Sequence, residues 1–137
     1  MIILGKFWGI VSVICLTICF SKIVIKWFNR RFVIGLSRKN SKRLIDATFA
    51  ISKIMEELHG VIAIVAFLSS VIHMIIMNAT IKFSYLGIVC ILIFICIILL
   101  GIIDKYIYKD KSGDIKMCHI IMSGILFIFL FLHCIIT

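Results

Sequence analysis

The sequence predicts an all-α membrane protein, a bundle of four transmembrane helices with an interfacial or extended cytoplasmic helix before the second span. Three observations predict it. Of the 137 residues, 64% are hydrophobic and only 15% are charged, and the mean hydropathy of +1.26 lies far above that of a soluble domain. The charged residues collect in short blocks between four apolar stretches, each close to the roughly 20 residues a helix needs to cross ~30 Å of hydrocarbon. Proline is absent, so nothing asks for the broken helices that many transporters use. A single transmembrane domain, 1–137, accounts for the chain.

The first span runs from about 8 to 27. Trp8 and Trp27 bracket it, about 28 Å apart along a helix, as interfacial belt residues do. Lys22 and Lys26 can snorkel to one surface. The block from Asn29 to Arg43 holds six basic residues and no acid, which places it on the cytoplasmic side by the positive-inside rule. Ser41 is placed to cap a helix starting near Lys42. From Leu44 to Leu58, apolar residues at helical spacing are interspersed with Asp46, Lys53, Glu56 and Glu57. That pattern suits an interfacial helix or a cytoplasmic extension of the second span.

The second span covers about 58 to 77, the third about 83 to 107, and the last about 117 to 136. A short turn, Asn78 to Lys82, joins the second and third, and a charged connection, Asp104 to Lys116, joins the third and fourth. The charge bias puts both charged connections inside, and therefore both termini outside a plasma membrane. The net charge of +9 is explained by topology and by anionic lipid, so nucleic acid is not expected as a partner.

The chain has four histidines, His59, His73, His119 and His133. They form two pairs, and each pair is separated by fourteen positions within the second or the fourth span. Fourteen positions rise roughly 21 Å along a helix and return close to one face. Each of these two parallel helices therefore carries one imidazole toward either side of the membrane, His59 and His119 inside, His73 and His133 outside.

Hairpin arithmetic gives the levels. If spans two and three fold about Thr80, positions whose numbers add to 160 share a depth; if three and four fold about Asp110, those adding to 220 do. Gly87 then lies level with His73 and His133, and Gly101 with His59 and His119. Glycine weakens a helix and is usually kept for close approach, here to make room for a flat ring. The first span has no matched glycine pair: Gly5 is followed fourteen positions on by Cys19, and Gly9 by Ile23.

Ionisable groups inside a membrane are costly and mark function. Two neutral imidazoles at one depth suit the axial positions of a haem iron. The six cysteines, all in or beside apolar spans, read as packing residues, and no C-x-x-C-H motif is present for covalent attachment. The expected cofactors are thus two non-covalent b-type haems. His59 and His119 would hold the inner one, His73 and His133 the outer. Gly87 and Gly101 would lie beside the rings, and Lys82 outside with Lys53 or Lys116 inside would meet the propionates. The second ring nitrogen is expected to donate to a backbone carbonyl one turn earlier, or to Ser69 for His73.

The stretches HGVIAIVAFLSSVIH and HIIMSGILFIFLFLH, on parallel helices flanking an antiparallel one, resemble the haem-holding core of cytochrome b and of the ferric-reductase and NADPH-oxidase family. They are also similar to the small four-span flavinylation-associated cytochromes of bacteria. The resemblance implies electron transfer across the membrane, from a cytoplasmic-side or quinol donor to a flavin-bearing or metal-reducing extracytoplasmic partner. The quinone-site motif of cytochrome b is absent. Such a chain is an electron-transfer protein or a subunit of an oxidoreductase. Two other readings use the same residues differently: a transporter or metal-handling protein with His, Cys and Met as soft ligands, and an accessory subunit that only packs against larger spans.

Overall fold

The computed structural model of the chain describes residues 1–33, 38–81, 84–108 and 113–136. Every regular element among them is helical: α1 (Ile2–Phe28), α2 (Arg38–Thr80), α3 (Tyr85–Ile102) and α4 (Gly113–Ile136), with π-helical turns at Asn29–Val33 and Ile103–Ile107. The chain is all-α, and four of its helices are long and apolar enough to cross a membrane.

Their outer faces carry the side chains that lipid tolerates and water does not. Ile10, Val61, Leu92, Ile128 and Phe131 are all more than half exposed, far more apolar surface than a water-soluble monomer shows. The buried set is small: Ala66, Cys90, Phe94, Ile97 and Leu126, with the polar Ser12, Asn29 and Ser69.

Several boundaries differ from those read in the sequence, α4 among them, which begins at Gly113 rather than near 117. Helix α1 begins at Ile2, six residues before Trp8, because Ile2, Ile3 and Leu4 continue the apolar run. Helix α2 starts at Arg38 and runs unbroken for 43 residues, about 64 Å and roughly twice the hydrocarbon thickness. The amphipathic stretch before the second span is therefore a helical extension of that span rather than a separate interfacial helix. A cap at Ser41 is ruled out, since the helix already begins at Arg38.

Two compact units make up the chain, Met1–Gly9 with Ser69–Thr137, and Ile10–Leu68. In the first, α3 and α4 pack antiparallel. Ser84 caps α3, its side-chain oxygen accepting the Gly87 amide at 3.2 Å. Phe94 on α3 and Leu126 on α4, 3% and 4% exposed, stand midway between Gly87 and Gly101 and between His119 and His133. The first turns of α1 lie against the end of α2, where a β-carbon on Gly5 would come within 2.8 Å of the Met77 sulfur.

In the second unit α1 and α2 are also antiparallel. Ser12 Oγ donates to the Ala66 carbonyl at 3.2 Å, Cys19 Sγ to the His59 carbonyl at 3.9 Å, and Lys26 pairs with Glu56 at 2.8 Å. Ser12 and Cys19 are spaced by seven, as are His59 and Ala66. A repeat of seven keeps one seam of each helix on the other, and small residues on α1 let that seam close.

Candidate functional site

The site is built from imidazoles laid over glycines. On α4, His119 packs its ring onto Gly101 of α3, where a β-carbon would lie 3.4 Å from Cε1. With no side chain in the way, Nδ1 reaches over the glycine to the carbonyl of Ile97, one turn earlier on α3, and donates to it at 3.1 Å. That carbonyl also serves its own helix, which its two lone pairs allow.

His73 on α2 repeats the motif against α1. A β-carbon on Gly9 would lie 2.9 Å from His73 Nδ1 and 3.0 Å from Cε1, and Nδ1 donates to the carbonyl of Gly5 at 2.7 Å. Gly5 stands four residues before Gly9, as Ile97 stands four before Gly101. A carbonyl can only accept, so both rings carry a proton on Nδ1.

His133 lies over the third glycine, Gly87, with Cε1 3.5 Å from the β-carbon position. Its Nδ1 stands 3.5 Å from Ser84 Oγ, the hydroxyl that caps α3. The rings of His133 and His73 meet edge-on, with centroids 6.3 Å apart and planes at 85°. Both rings are half-buried.

His59 lies in the other unit, half-buried, with its backbone carbonyl accepting from Cys19. No glycine of α1 stands at its level. The remaining expected residues divide as follows. Lys53 lines a pocket with Asn29, Arg30 and Glu56, Lys116 is half-buried near the start of α4, and Lys82 lies outside the described residues. All six cysteines are free thiols. Among the described residues no group of three or more His, Cys, Asp or Glu side chains is arranged to hold a metal ion.

The levels inferred for α3 and α4 hold: Gly101 meets His119 and Gly87 meets His133. For His73 the acceptor is not Ser69 but the Gly5 carbonyl of the neighbouring helix, and His119 Nδ1 donates to the Ile97 carbonyl of α3. An imidazole stem points away from its own helix, and a facing glycine uncovers the next backbone. What meets each glycine is accordingly the histidine ring itself.

Gly5 and Gly9 are the residues that sequence reasoning missed. The signal was present in the matching sevens of α1 and α2, but the sequence between the first two apolar spans, about 28 to 57, is too long to give a centre from which to count. Comparison of the chain with protein-family models, with curated proteins and with solved structures finds no match.

Proposed function

We propose that the chain is a membrane-embedded di-haem b-type cytochrome that carries electrons across the plasma membrane, with both termini on the outer side. The observation that supports it most directly is the pair His73 and His133, with ring centroids 6.3 Å apart. Two imidazoles brought this close from two different helices are the residues that would hold one metal centre, with the one-electron chemistry of a haem iron supplied there. On this reading His73 and His133 hold the outer haem, and His59 and His119 the inner one.

Bound haem supplies a one-electron carrier at each depth. The chain's own residues prepare the ligands. The Gly5 and Ile97 carbonyls hold the Nδ1 protons of His73 and His119, which fixes the ring orientation and makes Nε2 a stronger donor to a metal. A haem held by two imidazoles would supply electron transfer rather than turnover of a bound substrate. Lys82 on the outer side, and Lys116 or Lys53 on the inner, are the cations available to propionates. The donor is a cytoplasmic-side reductant or a quinol, and the acceptor an extracytoplasmic flavin-bearing or metal-reducing partner.

A reduced-minus-oxidised spectrum of the purified protein, with a pyridine hemochrome assay, tests this. Two haems per chain are expected. Bound zinc or copper without a Soret band would replace the reading with a metal-handling one, and the absence of any cofactor requirement for folding or activity would leave an accessory subunit.

A further inference from the structure

Within Ile10–Leu68, where α1 passes into the π turn Asn29–Val33, the two helices leave an open pocket of about 450 Å³. Two features distinguish it from a solvated notch. The first is Asn29, only 7% exposed. Its amide nitrogen donates to Ser52 Oγ at 2.9 Å and reaches the Thr48 carbonyl at 3.5 Å. A carbonyl only accepts, so the amide is oriented. Its oxygen, Oδ1, is buried with no hydrogen-bond partner, and a buried acceptor without a donor is destabilising.

The second feature is charge. Lys26 is matched by Glu56 at 2.8 Å. Arg30 and Lys53, which also line the pocket, have no acidic partner among the described residues. Two cations with no acidic partner among the described residues thus line the same pocket as Asn29. Phe49 supplies an apolar wall, and Trp27, 61% exposed, marks the depth at which headgroups lie.

We propose that this pocket binds a hydroxyl-bearing anionic phospholipid headgroup of the phosphatidylglycerol type. Arg30 and Lys53 take the phosphodiester, Arg30 through its planar fork. The headgroup hydroxyl donates to Asn29 Oδ1, and Phe49 lies along the first carbons of an acyl chain. The proposal is independent of the haem reading, since none of the four histidines lines the pocket. It assigns Lys53 to the phosphate and leaves Lys116 for the inner propionates.

The full chain, purified in detergent and delipidated, is titrated with four probes, and binding is read by native mass spectrometry. The probes are phosphatidylglycerol, phosphatidylmethanol (the same charge without the hydroxyl), phosphatidylcholine and inorganic phosphate. Phosphatidylglycerol should bind about tenfold more tightly than phosphatidylcholine, and several-fold more tightly than phosphatidylmethanol. The exposed double substitution Arg30→Gln with Lys53→Gln should lower its affinity about tenfold, with helical circular dichroism unchanged. Equal binding of phosphatidylcholine or of phosphatidylmethanol, or an unmoved double variant, overturns the proposal. So does ready displacement by inorganic phosphate, which would make this a free-anion site.

Discussion

The rings of His73 and His133 stand 6.3 Å apart and nearly perpendicular, one held by the Gly5 carbonyl of α1 and the other over Gly87 of α3. Each imidazole is thus positioned by a helix other than its own. The placement of these two rings is accordingly sensitive to substitutions that touch no histidine.

Removing one member of this pair should remove one haem. Under the proposed di-haem reading, in which two histidines from two helices would hold each iron, His73→Ala is expected to lower the haem-to-protein ratio by about half while the inner centre keeps its spectrum. Retention of both haems by pyridine hemochrome would refute the assignment.

Gly9→Ala should damage the outer centre more than Gly87→Ala. A β-carbon on Gly9 would sit 2.9 Å from His73 Nδ1, and the ring cannot retreat without losing its 2.7 Å bond to Gly5. On Gly87 the nearest His133 atom is 3.5 Å away, an ordinary contact. In an unconstrained helix either change would gain about 1 kcal/mol from propensity. Haem content should therefore fall in the first variant and hold in the second. Equal behaviour of the two would show that the Gly9 contact does not set the ring.

Gly101→Leu should expel the inner haem and spare the outer one. Its side chain would occupy the space of the His119 ring, which rests 3.4 Å from the β-carbon position, and would break the bond to the Ile97 carbonyl. Combined with His73→Ala it should leave no haem, as read by the Soret band. A surviving inner spectrum in the single variant would contradict this.

The α1–α2 seam should tolerate loss of a hydrogen bond better than added bulk. Ser12 and Ala66 are 4% and 0% exposed and are joined at 3.2 Å. Ser12→Ala is expected to cost about 0.6 kcal/mol, typical of interhelical bonds in membranes. Ser12→Leu should cost about 1–3 kcal/mol through overpacking. Denaturant titration in mixed micelles ranks the two, and the reverse order would mean that the seam is held by the hydroxyl rather than by fit.

Much of the α3–α4 half of the site was legible. The short connection from Tyr108 to Gly113 fixes a centre for the hairpin, and counting outward from it pairs Gly101 with His119 and Gly87 with His133. Helix α1 offered no such centre. In the sequence about thirty residues, the basic block among them, separate its span from the second, so Gly5 and Gly9 looked unmatched although they lie against Met77 and His73.

The sequence by itself determined the class, the four apolar spans and the places where charge stops them. Each of those follows from the transfer of a segment into hydrocarbon, which needs no knowledge of its neighbours. Only the tertiary structure decided that α2 continues from Arg38 to Thr80, that α1 closes on α2 through Gly5, Ser12 and Cys19, and that His73 and His119 donate to the helix beside them. Those are properties of pairs of helix faces. A ring reaches a neighbouring carbonyl only when the facing residue is a glycine at the right turn, and which face meets which is settled by packing.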